Sequence, residues 1–179
     1  GVETSYNKIK TLLGVGSVNT ITDFMRACQD AYLFFEVAKF DYSIKKQMIN
    51  PKKIYCVDTG LLGVNSFAFS KNIGRVLENA VFMHLVRHNK NVFYHKDKKE
   101  CDFVVQEGMQ IHRAIQVCYE LHDDNQAREV EGLVEACVQY GLSKGYLLTL
   151  NQQDVIHVGG VEIRVEPVWK WMRNIDKEL

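Results

Sequence analysis

Three short segments of this chain each place a single polar residue within an apolar run. The first ends at Glu78 in a helical pattern, and the next two place Asp102 and Gln116 in strand patterns. Gly74, one turn before Glu78, would let a strand approach that helix closely. Burying a carboxylate or an amide without a partner costs free energy, so few folds accept three such positions. They predict a helix and two strands whose polar side chains meet.

The spacing of the apolar neighbours predicts where these side chains lie. Glu78 is three and seven residues before Val81 and Leu85, so its carboxylate belongs to the apolar face of the helix. If the two strands form a hairpin that pairs Asp102 with Gln116, all three side chains converge. Two carboxylates and an amide oxygen suit a hard divalent cation, Mg²⁺ or Mn²⁺. Glu78, Asp102 and Gln116 are therefore the predicted metal ligands and catalytic residues.

Composition restricts the classes of partner and compartment. Lysine plus arginine and aspartate plus glutamate each number 22, so no overall positive charge announces a nucleic-acid partner. The five cysteines are widely spaced without a C-x-x-C pair, which favours reduced core residues in an intracellular protein. No apolar run reaches the roughly 18 residues of a membrane span, and no secretion signal is visible. We expect a cytoplasmic protein without membrane contact. The start at Gly1, without an initiator Met, suggests a fragment of a longer chain.

The first part of the chain, residues 1–62, has its own pattern. Residues 6–13 and the segment that follows Ser17 show helical periodicity. Residues 32–40 and 53–57 are rich in aromatic and β-branched residues and predict two strands. Two helices followed by a hairpin with a basic tip are the plan of a winged helix, so this part is predicted to be winged-helix-like.

The basic stretch of this first part favours nucleic acid. Residues 39–53 contain five lysines against one acid, and phosphate contacts need such charges. Asparagine and arginine on the second helix can read base edges. Lysines that are merely solvated, or a winged helix that docks a protein, explain the same pattern. The predicted nucleic-acid contacts are Asn19, Thr22, Arg26, Lys45, Lys46, Lys52 and Lys53.

The second part, residues 63–179, alternates helix and strand. The pair Gly159-Gly160 suits a tight turn between two of the strands. This order predicts an α/β domain, α+β over the whole chain, with a mixed sheet flanked by helices. The predicted helices span residues 69–88 and 124–140, and the predicted strands span residues 92–94, 101–106, 111–121, 145–150, 154–158 and 161–166.

At these residues the sequence resembles known families. A glycine, three further residues and Glu78 on a helix, with Asp102 and Gln116 on the next strands, are similar to the PD-(D/E)XK nuclease superfamily. Almost the whole chain resembles the region C-terminal to the ATPase module of archaeal-type AAA ATPases, the uncharacterised domain family numbered 4143. That resemblance is carried by residues 5–8, 50–55, 58–61, 96–103, 114–121 and 167–171.

The resemblance implies a winged-helix segment joined to a restriction-endonuclease-like fold, with the N-terminal ATPase module of the same full-length chain as a partner. This chain itself contains no P-loop motif. Active members of the nuclease superfamily carry a lysine two residues after the second acid, which positions and activates the attacking water. Here Gln116 is followed at that spacing by Cys118, which supplies no permanent charge. Lys96, Lys98 and Lys99 are the candidates for a displaced lysine.

Three functions are open at this point. The first is a C-terminal module of an AAA-type ATPase that binds nucleic acid or a partner through a nuclease-like fold with a degenerate site. The second is a divalent-metal-dependent DNA nuclease with a displaced lysine. The third is a purely structural or regulatory protein-interaction domain of the ATPase. DNA is a candidate partner, and a homo-oligomer is left open.

Overall fold

The computed structural model describes residues 1–60, 73–88 and 90–174. The chain divides into two compact units, Gly1–Phe67 and Ala68–Leu179. The predicted boundary between residues 62 and 63 lies outside the described residues.

The first unit combines short helices with a three-stranded antiparallel sheet. In chain order its elements are β1 (Val2–Thr4), α1 (Tyr6–Leu13), α2 (Val18–Asp30), β2 (Phe34–Ala38), α3 (Ile44–Ile49) and β3 (Lys52–Cys56). The strand order is β1-β3-β2, and Glu36 pairs with Ile54. Ser5, Ser17 and Ser43 cap the three helices, each side-chain oxygen accepting a hydrogen bond from a main-chain N–H of the first turn.

The two strands predicted for this unit are confirmed, and they pair with each other in antiparallel fashion. The basic stretch between them differs from the prediction, because it forms helix α3 rather than a loop. Gln47 Nε2 donates to the main-chain carbonyl of Asp41 (2.6 Å), so local bonds fold a segment with little apolar periodicity. The sequence pattern does not predict β1, since three residues are too few to show alternation. The winged-helix assignment stays a prediction.

The second unit is built on a six-stranded mixed sheet flanked by helices, as the sequence predicts. In chain order its elements are α4 (Ile73–Arg87), β4 (Asn91–Lys96), β5 (Glu100–Glu107), β6 (Gln110–Val117), α5 (Asp123–Tyr140), β7 (Lys144–Thr149), β8 (Asp154–Val158), β9 (Val161–Pro167) and α6 (Val168–Asn174). None of the helices in the described parts of the chain is both long enough and apolar enough to cross a membrane.

The sheet of the second unit has the strand order β4-β5-β6-β7-β9-β8. Strands β4 to β6 form an antiparallel meander, β7 is parallel to β6 and follows it through α5, and β9 is parallel to β7. Strands β8 and β9 form the predicted hairpin. Its turn glycines, Gly159 and Gly160, both have positive φ (61° and 80°), which glycine adopts without strain.

Strand β6 is shorter than the sequence predicts. It ends at Val117, whereas the apolar pattern continues to Leu121. The main-chain N–H and carbonyl of Leu121 are both bonded to the side-chain amide of Gln152, at 2.6 and 2.8 Å. Those two backbone groups therefore do not extend the sheet, and the chain turns away toward α5.

The first and last helices of this unit, α4 and α6, can be compared with the sequence predictions. Residues 69–72 of the predicted first helix lie outside the described residues, and α4 is described from Ile73. The closing segment after Pro167 is helix α6. Trp171 is buried there, whereas Trp169 is exposed.

Helix α5 packs closely on the sheet. A Cβ at Gly132 would overlap the carbonyl oxygen of Glu100 and lie 2.9 Å from its carbonyl carbon. Leu133 and Ala136, next to this contact, are fully buried. Close approach was expected instead at Gly74, but no described atom lies within 4 Å of a Cβ there. A glycine of helix α5, rather than Gly74, therefore permits close packing on strand β5.

We expect Gly132→Ala to lower the free energy of unfolding by about 3 kcal/mol, because the added methyl group meets a backbone carbonyl that cannot rotate away. Gly74→Ala is the matched control, since both glycines are helical and a Cβ at Gly74 meets no described atom. It should be neutral or raise stability by about 0.5 kcal/mol through helix propensity. Urea denaturation of the two variants measures the difference, and equal effects would contradict the close packing.

Candidate functional site

The register of strands β5 and β6 places Asp102 beside Gln116. Phe103 pairs with Ile115 in this antiparallel pair, so Asp102, which precedes Phe103, lies next to Gln116, which follows Ile115. The main-chain N–H of Asp102 donates to Gln116 Oε1 (3.0 Å), and the main-chain N–H of Val117 donates to Asp102 Oδ2 (3.1 Å). Each side chain therefore binds the backbone of the opposite strand, which fixes both at the end of the hairpin away from its turn.

The other end of the Gln116 side chain reaches helix α5. Its Nε2 donates to Glu129 Oε2 at 2.7 Å. Glu129 is 7% exposed, and its second oxygen accepts from Arg128 Nε (3.0 Å) and Nη2 (2.5 Å). The arginine offsets part of the cost of burying this carboxylate. One amide group thus joins strand β5 to helix α5.

Glu78, Asp102 and Gln116 all line one open concavity of about 680 Å³ in the second unit. Helix α4 supplies the first, strand β5 the second and strand β6 the third. All three are buried at 8% exposure. The structure therefore brings together the three residues that the sequence singles out, while their catalytic and metal-binding roles stay predictions.

The lining of the concavity carries more acid than base. Acidic side chains outnumber lysine and arginine by five to three, so the described lining repels a phosphate group that arrives without a cation. The acids are Glu78, Glu100, Asp102, Glu120 and Glu129, and the bases are Arg75, Lys99 and Arg128.

Cys118 occupies the position at which the resemblance to nucleases leads us to expect a lysine. Burial, followed by the negative charges of Glu129 and Asp102, raises the pKa of the Cys118 thiol to about 12, with Arg128 acting in the opposite direction. The thiol is therefore protonated at neutral pH. It supplies neither the positive charge of a lysine nor a nucleophilic thiolate.

The donor set of the concavity fits a hard divalent cation in kind. Carboxylate and amide oxygens are the ligands that such cations prefer. Among residues 1–60, 73–88 and 90–174, however, no three His, Cys, Asp or Glu side chains are grouped so that they could hold a metal ion. The predicted ligands include the amide of Gln116 and so form a different set, for which Mg²⁺ or Mn²⁺ stays a prediction.

Of the three candidates for a displaced lysine, Lys99 lines the concavity. Its Nζ lies 2.6 Å from Glu131 of helix α5. Lys96 lies 3.3 Å from Glu100, and Lys98 is exposed. Exposed ion pairs contribute little free energy, so Lys99 can exchange its partner at low cost.

Glu129 and Arg128 are site residues that the sequence analysis does not single out. Leu133 and Ala136 follow Glu129 by four and seven residues, and both are fully buried. Glu129 therefore lies on the apolar stripe of its helix. The signal that identifies Glu78, an acid on such a stripe, is present at Glu129 as well.

Helix α2 in the first unit carries three of the predicted nucleic-acid contacts. Asn19 and Arg26 are exposed. Thr22 is half-buried, and its hydroxyl donates to the main-chain carbonyl of Val18 (3.1 Å). Two of the three therefore present their polar atoms to solvent.

The four predicted lysine contacts differ in exposure. Lys45 and Lys46 are exposed on helix α3. Lys52 is half-buried, its Nζ donates to the main-chain carbonyl of Gln47, and burial lowers its pKa. Lys53 is 1% exposed. A phosphate contact by Lys53 does not fit the structure, because its side chain lies inside the unit.

Comparison with known proteins identifies the family of the chain. Residues 73–166, just over half of its length, match the family described as "Domain of unknown function (DUF4143)". The chain belongs to the DUF4143 family. The matched region of this DUF4143 chain contains every described residue that lines the concavity.

Two uncharacterised proteins are similar to the DUF4143 chain along most of its length. One, from Methanocaldococcus jannaschii, is 37% identical over an alignment of 163 residues, and the match covers 84% of this chain and 35% of that protein. The other, from Haemophilus influenzae, is 27% identical over 148 residues, which are 82% of this chain and 36% of that protein. The chain spans about a third of the length of these relatives. No solved structure gives a significant match.

We expect Gln116→Glu to destabilise the protein by about 2 kcal/mol at neutral pH, because the bond to Glu129 is replaced by a contact between two acids. Repulsion raises the pKa of that pair in the folded state above its unfolded value. The folded state then binds more protons, so stability falls as pH rises from about 5 to about 8. Urea denaturation of the variant and wild type at several pH values measures this.

Gln126→Glu is the control for this prediction. It makes the same chemical change at an exposed position of the same helix. The control should follow the wild-type pH dependence. The same pH dependence in both variants would show that the Gln116 amide does not bond to a buried acid.

Proposed function

We propose that the DUF4143 chain is a non-catalytic binding module of a longer AAA-type ATPase, in which a winged-helix segment precedes a nuclease-like unit with a degenerate site. The observation that carries the proposal is the hydrogen bonding of Gln116. Its amide binds the Asp102 N–H at one end and the Glu129 carboxylate at the other. This group is therefore engaged by the protein itself, where a working site would offer a charged ligand to a cation.

The nuclease-like part of the proposal is supported by the order of elements in the second unit. A helix, an antiparallel three-strand meander, a second helix and a strand parallel to the end of the meander follow one another. The first helix, the middle strand and the last strand of the meander place Glu78, Asp102 and Gln116 around the same concavity. Resemblance to the PD-(D/E)XK superfamily implies this arrangement.

The degenerate part is supported by what replaces the second acid and the lysine. Gln116 carries no charge, and the protonated thiol of Cys118 carries none either. These two positions therefore offer no charged group to activate water or to stabilise charge that develops on a phosphate. A fold that keeps its shape without these charges can still bind.

Two classes of ligand fit the binding role. Nucleic acid is favoured by the exposed polar side chains of the first unit: Asn19, Arg26, Lys45 and Lys46. A protein partner is the other class, and the ATPase module of the full-length chain is one such partner under this proposal. The relatives are long enough to contain such a module.

A divalent-metal-dependent DNA nuclease is the second candidate, because helix α5 carries an acid and a cation beside the altered positions. Glu129 is bonded to Gln116, and the charge of Arg128 acts on the Cys118 thiol. In this candidate Asp102 and Glu129 would hold Mg²⁺ or Mn²⁺, which supplies stabilisation of the charge that develops on the phosphate. Arg128 would take the place of the missing lysine as a fixed positive charge.

We expect the wild-type chain, with Mg²⁺ or Mn²⁺, to cut labelled single-stranded, duplex and branched DNA no faster than Asp102→Ala at matched concentration. The physical reason is the absence of a charged group at Gln116 and Cys118. Gel electrophoresis measures cutting, and circular dichroism confirms that both proteins are folded. Fluorescence anisotropy on the same samples measures DNA binding and its dependence on salt.

Metal-dependent cutting by the wild type, abolished by both Asp102→Ala and Glu129→Gln, would replace this proposal with the second candidate. Asp124→Asn changes an exposed acid of the same helix and should have no effect in either case. If the chain neither cuts nor binds DNA but associates tightly with a separately produced ATPase module, it is a purely structural or regulatory domain.

A further inference from the structure

We infer that helix α3 of the first unit binds an acidic, amphipathic segment of a protein partner. The helix presents large apolar side chains to solvent beside two lysines. A ligand with apolar and acidic side chains on one face complements that surface. The inference deepens the proposed binding role, on which it rests, and it uses no residue of the concavity.

Helix α3 buries none of its residues. Ile44 and Met48 are each 74% exposed, Ile49 is 72% exposed, and Tyr42, just before the helix, is 76% exposed. Exposed apolar side chains on a folded domain are ordinary when they are scattered singly. Four of them within one short stretch of chain indicate an interaction surface.

Local hydrogen bonds, rather than burial, hold this helix in place. The Asp41 carboxylate accepts from the main-chain N–H of Ser43 (2.8 Å), and the Asp41 carbonyl accepts from Gln47 Nε2 (2.6 Å). Lys52 Nζ donates to the Gln47 carbonyl. A helix this short does not form in water by itself, so these bonds fix its position. Its apolar side chains are therefore pre-organised for a partner.

Helical geometry sets the pattern of the surface. At about 100° per residue, Ile44 and Met48 lie in one row, Ile49 lies about 100° from Met48, and Lys45 lies between them. Lys46 borders Ile49 on its other side. The apolar strip thus has the ammonium group of Lys45 within it and that of Lys46 beside it. A segment in which apolar side chains alternate with carboxylates is complementary to such a strip.

Two other occupants complement this surface less well. Phosphate contact would use Lys45 and Lys46 but would leave Ile44 and Met48 against a charged backbone. A second copy of the chain would bring the same lysines together from both sides, and like charges across an interface repel. An acidic and apolar protein segment satisfies both kinds of side chain.

The test uses the full chain and a fluorescently labelled synthetic peptide that carries leucines and glutamates together on one helical face. A companion peptide carries lysines in place of the glutamates. We expect the acidic peptide to bind and the basic one not to, as measured by fluorescence anisotropy. Ile44→Ser with Met48→Ser, and separately Lys45→Glu with Lys46→Glu, should each weaken binding about tenfold. All four side chains are exposed, so these variants keep the fold, which circular dichroism checks.

The matched control is Leu12→Ser with Leu13→Ser, which removes two exposed apolar side chains from helix α1 and should leave binding unchanged. Three results would overturn the inference. The first is that the acidic peptide does not bind, and the second is that duplex DNA binding requires Lys45 and Lys46 whereas peptide binding does not. The third is self-association through α3, measured by sedimentation. DNA cleavage with peptide binding intact would overturn the proposed function and leave this inference standing.

Discussion

The close packing of helix α5 on the sheet is the constraint on which the second unit depends. Gly132 leaves room for a carbonyl oxygen of strand β5, and the acids three residues on either side of it both reach buried partners. Glu129 accepts from Gln116, and Glu135 Oε1 lies 3.0 Å from His95 Nε2. A helix held farther out by one methyl group would lose both contacts. The distance of helix α5 from the sheet thus determines both its contact with Gln116 at the concavity and its contact with His95.

The chemistry of an amide explains why Gln116 fits between these elements. A carboxylate at this position would accept from the Asp102 N–H but could not donate to Glu129. The amide does both, because it carries an acceptor and a donor on one rigid plane. Arg128 compensates the charge of Glu129 from the solvent side. The protein's own groups therefore complete the hydrogen bonding that an external ligand would otherwise complete.

The order of elements in the second unit could be predicted because apolar residues recur with a period of two in strands and 3.6 in helices, and this periodicity is visible in the local sequence. The same alternation assigns Asp102 and Gln116 to two successive strands, whereas their pairing depends on the register of the hairpin. Their connection to Glu129 could not be predicted, because the depth of a helix depends on which backbone faces Gly132. The sequence of helix α3 shows no helical periodicity of apolar residues, because capping and side-chain hydrogen bonds within a few residues form this helix. The burial of Lys53 depends on tertiary neighbours rather than on its own charged stretch.

One side chain joins the rim of the concavity to a distant loop. Gln152, between β7 and β8, binds both main-chain groups of Leu121, and its own N–H donates to Thr149 Oγ1 at 2.9 Å. Leu121 lies in the short connection that runs from Cys118 along the rim into helix α5. The two hydrogen bonds of the Gln152 side chain therefore tie the rim of the concavity to the β7–β8 loop. The position of the rim thus depends on a loop beside the edge strand β8, through a single glutamine amide.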